Sequence, residues 1–129
     1  MLVVFSILLV DLISFEAEAQ MSFLKRKMTI EEVHEGIKEG MTREEVEAYF
    51  SARNIKYSFN TRAKVDQFFV PKFIWKSPDA IGFYGATIQD NGRKWLGWWF
   101  FPEHLSIRVE INSQGKVSQV VAKYGYTGP

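Results

Sequence analysis

The sequence predicts an α+β fold of two short N-terminal helices packed on an antiparallel β-sheet, a meander of three to five strands. Three observations carry that expectation. Two T-x-x-E helix starts lie close together, the second half alternates apolar and polar residues over strand-length runs, and clusters of Gly, Asn and Asp separate those runs. At 129 residues, with 47% hydrophobic and 24% charged side chains, the chain has the composition of a folding polypeptide and room for one core. Residues 20–129 are therefore read as a single domain.

The first helix start is Thr29-Ile30-Glu31-Glu32 and the second Thr42-Arg43-Glu44-Glu45, each written as a capping box. Ile30, Val33 and Ile37 share one face of the first helix, and Gly40 offers a left-handed C-terminal stop. Val46, Tyr49 and Phe50 form the stripe of the second helix, which Asn54 ends. Ile55–Phe59 alternates as a strand, Asn60–Lys64 is polar, and Val65–Asp79, with Pro71, Pro78 and several aromatics, reads as irregular. Ala80–Gln89 reads as a strand, Asp90-Asn91-Gly92 as a hairpin turn, and Lys94–Phe101 as the returning strand, ended by Pro102. Leu105, Ile107, Val109 and Ile111 alternate with polar residues as a half-buried strand. Asn112–Gly115 then turns the chain, Lys116–Tyr124 returns, and residues 125–129 read as a loose tail.

Composition excludes several chemistries. There is no cysteine, so disulfides and thiolate metal sites are impossible, and the two histidines, His34 and His104, have no metal-ligand spacing. No metal and no cofactor is expected. Gly82, Gly85, Gly92 and Gly97 make no phosphate-loop spacing. A net charge of +1 supplies no general field for nucleic acid, and none is expected as a partner, although Lys72, Lys76, Arg93 and Lys94 flank the aromatic region.

Residues 1–19 read as a signal peptide or membrane-associated leader. An apolar run, Leu2–Phe15, is followed by Ala17-Glu18-Ala19, a small-residue pattern that fits cleavage before Gln20. The run holds 14 residues including Asp11, short of the roughly 20 apolar residues of a full membrane span. Periplasmic or secreted localisation is the expectation. An uncleaved leader would instead tether the domain to the membrane, with Lys25-Arg26-Lys27 favouring the cytoplasmic side, and a start at Met21 would leave the protein in the cytoplasm.

The phrase Ile37-Lys38-Glu39-Gly40-Met41-Thr42-Arg43-Glu44-Glu45-Val46, set between two capped helices and followed by an antiparallel meander, resembles the SmpA/OmlA (BamE-like) outer-membrane assembly proteins and the related β-lactamase-inhibitor-like helix-helix-sheet domains. The likeness covers Thr29 to Arg53. It implies the same fold and a non-enzymatic role in protein contact within the cell envelope. Those assembly proteins carry a lipid on a cysteine after the leader; with no cysteine, this chain would be a non-lipoprotein member.

The candidate binding surface is aromatic. Trp95, Gly97, Trp99 and Phe101 alternate with Leu96, Trp98 and Phe100 along one run, so both faces of a single strand would be apolar. One face would pack under the helices and the other against Phe68–Trp75, or stand exposed for protein, peptide or glycan contact. Trp95, Trp98, Trp99 and Phe101 are the expected contact residues, and another envelope protein is the expected partner. No catalytic residues are expected. Glu31 and Glu35, one helical turn apart, read as a solvated acidic face. The alternative from another class is a small hydrolytic or ligand-binding enzyme that uses His104 with an acidic neighbour, Glu103 or Asp79.

Overall fold

A computed structural model describes residues 26–68, 74–96 and 99–126, with the backbone alone for 94–96, 99 and 100. The leader, residues 1–19, lies outside the described residues, as do Phe69–Phe73, Gly97 and Trp98. The chain order is α1 (Ile30–Gly36), α2 (Arg43–Ala52), β1 (Tyr57–Thr61), α3 (Arg62–Phe68), β2 (Ala80–Leu96), β3 (Trp99–Asn112) and β4 (Val117–Tyr126). The four strands form one antiparallel sheet in the order β1-β2-β3-β4. The architecture is α+β, with three helices among the described residues where two were expected. The third, α3, takes up part of the polar loop and irregular segment, with Val65 buried.

Alternation along the strands sorts residues onto two faces. Tyr84, Ala86, Leu105, Ile107, Val109 and Ile111 form the core with Val33 of α1, Ile37 just past its end, and Val46, Tyr49 and Phe50 of α2. Both helical stripes lie in this core as their spacing predicts. The second capping box is complete: the Thr42 hydroxyl accepts from Glu45 N while Thr42 N donates to the Glu45 carboxylate. The first is half a box. The Thr29 hydroxyl accepts from Glu32 N, but the Glu32 carboxylate takes the Thr29 hydroxyl proton rather than the backbone amide. The Ile30 amide of that first turn is instead satisfied by the Tyr124 hydroxyl, 2.9 Å away on β4.

Helix α1 stops at Gly36, capped by Ile37, and the positive φ of Gly40 (88°) serves the connection rather than the cap. That connection is stitched to the start of β4. Gly40 N donates to Val117 O and Val117 N to Met41 O, both at 2.8 Å, with Thr42 bridging Lys116. The Gly-Met-Thr phrase thus reverses the chain, seats Met41 against the core and pins the helix pair to the sheet.

The largest departure from the expected layout concerns Asp90-Asn91-Gly92. This segment is no hairpin turn but a bulge within the long strand β2: the register passes from Ile88↔Leu105 to Gly92↔Glu103, three residues opposite one. A two-residue Asn-Gly turn needs positive φ at both central residues. Here Asp90 has φ 51° and neither Asn91 nor Gly92 lies in that region. Pairing therefore continues to Leu96↔Trp99. Pro102 does not end the strand either. It falls before β4 joins β3 at Glu103↔Tyr126, where a missing N–H on the outer side deprives no neighbouring strand. Gly125 and Tyr126, expected in a loose tail, belong to β4. The turn at Asn112–Gly115 is where the sequence places it: Gly115 has φ 75°, and the Asn112 side chain accepts from Gln114 N and Lys116 N at 3.0 Å.

Candidate functional site

Because β2 runs through the bulge, the aromatic segment is a ribbon rather than one strand. Arg93–Leu96 pairs with Trp99–Pro102, Trp95 lying opposite Phe100, Leu96 opposite Trp99 and Lys94 opposite Phe101. Among the described residues no other strand pairs with this stretch, since β1 reaches only Ala86 and β4 begins to pair at Glu103. The ribbon so extends past the four-stranded sheet. The expected alternation through Trp95, Gly97, Trp99 and Phe101 does not apply, because Trp95 belongs to β2 and Trp99 and Phe101 to β3. Trp98 lies outside the described residues, and Phe101 is half-buried.

A buried polar cluster holds the base of the ribbon. Asn91, fully buried in the bulge, accepts from Met28 N and donates to Met28 O at 2.9 Å each, and its backbone carbonyl accepts from Lys27 N at 2.7 Å. Its amide also donates to Glu103 at 3.3 Å. Glu103 receives Arg26 Nε at 2.7 Å, and the Arg26 guanidinium lies 3.8 Å from the Tyr124 ring centre. Residues 26–28 are in this way clamped to the ribbon's root. Sequence reasoning read Asn91 as a turn residue and Glu103 as a companion to His104; the only signal for their joint role is the asparagine two residues past a β-run, which a bulge and a turn share.

Burial pushes the Glu103 carboxyl upward. Hydrogen bonds from Arg26, Tyr126 and Asn91, with the Arg26 charge, outweigh it and hold the group below the ordinary glutamate value. A carboxylate depressed in the folded state contributes stability that is present above its unfolded pKa, ~4.3, and is lost as pH falls through the lower folded value. Wild type is accordingly expected to exceed Glu103→Gln in urea midpoint at neutral pH, the gap closing below pH ~4.3. A gap that stayed constant down to full protonation would deny Glu103 this role.

The sheet face away from α1 and α2 is the second candidate surface. One part is covered: Trp75 meets Phe83 edge-on, and fully buried Glu110 accepts from Lys76 N (3.0 Å), Ser77 N (2.8 Å) and Arg108 (2.8 Å). Beside it lies a shallow concavity of about 650 Å³ lined by Lys56, Ser58, Phe83, Thr87, Ser106 and Lys123 among others. Gly85 makes the hollow. A Cβ there would already press on the Phe83 ring edge at 3.2 Å.

On the helix side, Tyr84 ties α2 to the sheet, donating to Glu47 and accepting from Arg43 Nε at 2.9 Å. Burial, then the Glu47 hydrogen bond, raises the Tyr84 pKa against the opposing effect of Arg43. This cluster holds a helix in place and faces no cavity described above.

His104 and Glu103 are adjacent on β3 and so project to opposite faces. Glu103 turns to Arg26, while the His104 ring lies over Gly125, where a Cβ would come within 2.3 Å of Nε2. Asp79 adjoins Ala80, which pairs with Asn112, eight residues and about 26 Å along β3 from His104. The structure brings neither acid to this histidine. Glu31 and Glu35 are exposed. Among the described residues no three His, Asp or Glu side chains are grouped to hold a metal ion, and no helix is long and apolar enough to cross a membrane.

Comparison with family models, with curated proteins and with solved structures found no match to this chain.

Proposed function

We propose that this chain is a non-enzymatic protein-interaction module of the cell envelope, and that its contact surface is the aromatic ribbon. The observation that carries the reading is the ribbon itself. A stretch containing Trp95, Trp99, Phe100 and Phe101 extends beyond the sheet on two strands, with a buried polar clamp at its root. Tryptophan and tyrosine dominate the energetics of protein contact because each removes a large apolar area from water at small entropic cost. The envelope setting is supported by the leader-like residues 1–19 and by the resemblance of Thr29–Arg53 to the SmpA/OmlA and β-lactamase-inhibitor-like domains. On this reading the protein is delivered by its leader to the periplasm or exterior and meets another envelope protein there.

Photo-crosslinking in the native host tests both halves of the proposal. A photoreactive amino acid at Trp98 or Trp99 is expected to give a discrete adduct in the envelope fraction, and the same group at exposed Glu44 on α2 is expected to give none. Identical adducts from both places, or none from the ribbon, would remove the ribbon as the contact surface. Recovery of every adduct in the cytoplasmic fraction would remove the envelope setting.

A further inference from the structure

We propose that the sheet face away from α1 and α2 carries a second, separate site: the cross-strand row Lys56, Thr87, Ser106 and Lys123 binds the phosphate group of a soluble organic phosphomonoester. The row follows from register. Thr87 pairs with Ser106 and Ser106 with Lys123, and Lys56 precedes Tyr57, the partner of Ala86, which sets it beside Thr87. All four residues are exposed and line the same concavity. Two hydroxyls thus occupy the middle strands and two ammonium groups the outer ones.

The dimensions suit one anion. Three strand spacings put β1 and β4 about 14 Å apart, and two lysine stems of roughly 6 Å each can close over the central hydroxyls from both sides. The electrostatics point the same way. Among the described residues the lining of the concavity contains no Asp or Glu. Glu110, on the same face, is buried and engaged with Arg108, which also donates to Ile74 O. The acidic side chains concentrate in the other layer: from Ile30 to Ala52 there are seven Glu against Lys38 and Arg43, whereas from Lys56 to Tyr126 ten Lys and Arg stand against five Asp and Glu.

The donor set decides the class. Two positive charges and two hydroxyl donors match a tetrahedral group with three exposed oxygens and a charge near −2, which a phosphomonoester supplies at neutral pH and a sulfate ester, with one charge, does not. Phe83 and Val121 on the same wall provide an apolar rest for the organic part. A volume of about 650 Å³ falls in the range of small-molecule sites.

Phenyl phosphate titrated into the full-length chain, followed by backbone NMR, tests this. Saturable binding is expected, with the largest shifts at the Thr87 and Ser106 amides. Phenyl sulfate is expected to bind several-fold more weakly, and the double variant Lys56→Gln, Lys123→Gln to bind phenyl phosphate about tenfold more weakly. The wild-type shift map stands independently of how well the variant folds. Absence of saturation, shifts centred elsewhere, or equal affinity for the two esters would overturn the proposal. So would tight binding of phosphatidic acid vesicles through the same lysines that phenyl phosphate could not displace, since the ligand would then be a lipid surface.

Discussion

Glu110→Ala is expected to lower the unfolding free energy by about 3–5 kcal/mol, the cost typical of breaking a buried charged pair by removing one partner. The carboxylate is fully buried and accepts three hydrogen bonds, from Lys76 N, Ser77 N and Arg108. Its removal leaves two backbone amides without their acceptor and takes the paired carboxylate from Arg108, which keeps its hydrogen bond to Ile74 O. Against the 5–15 kcal/mol of an ordinary domain, this is a large fraction. Glu110→Gln keeps the shape and one acceptor oxygen, so its loss is expected to be smaller. Urea unfolding measures both, and amide hydrogen exchange at Lys76 and Ser77 locates the effect. A Glu110→Ala midpoint equal to wild type, with those amides still protected, would show that segment 74–77 is docked by something other than this carboxylate.

The second large effect is expected at Gly36. Alanine in place of glycine at a helical position ordinarily stabilises by up to ~1 kcal/mol. Here a Cβ would lie 2.1 Å from Tyr49 Cε2 and 2.7 Å from Cζ, so the ring or the helix must shift. The ring has little freedom, being buried between Arg53, whose guanidinium sits 3.7 Å from its centre, and contacts of its hydroxyl with Glu32 O and Met28. Overpacking of this kind costs about 1–3 kcal/mol, and Gly36→Ala is expected to be net destabilising. The cycle with Tyr49→Leu isolates the cause, because removing the ring should abolish most of the alanine penalty. If Gly36→Ala proved stabilising, the close approach of α1 to Tyr49 would be disproved.

Much of the scaffold is legible in local chemistry. Thr42 with Glu45, the stripes Val33/Ile37 and Val46/Tyr49/Phe50, and the alternation from Leu105 to Ile111 are patterns whose physical cause lies within a few residues, and each takes its expected place. The turn at Asn112–Gly115 belongs with them, because its own asparagine supplies the hydrogen bonds. Helix α3 was not legible: seven residues with one buried valine carry almost no periodic signal.

The candidate surfaces were read less completely. The aromatic composition of residues 95–101 singles them out, but pairing of β2 with β3 runs on to Leu96 and Trp99 and does not end at Asp90-Asn91-Gly92. Local propensity alone favours the turn. It is overruled by Met28, Lys27 and Glu103, which together meet the hydrogen-bonding needs of a buried Asn91 that a solvent-facing turn would leave to water. The row Lys56-Thr87-Ser106-Lys123 was invisible for the same kind of reason, its members coming from outer and middle strands whose register is set by distant pairing.

What the sequence by itself determined is the α+β class with a helix pair ahead of an antiparallel sheet, the helix N-caps, the core stripes and the absence of thiolate chemistry, since each depends on contacts within one or two turns of chain or on composition. Only the tertiary structure decided which carboxylates are buried with which cations, that Glu103 and His104 face apart, where the aromatic ribbon begins, and which face of the sheet packs against α1 and α2. Those outcomes rest on pairings between residues as far apart as Arg26 and Glu103, and a hydrogen bond across 77 positions leaves no trace in the local pattern of either end.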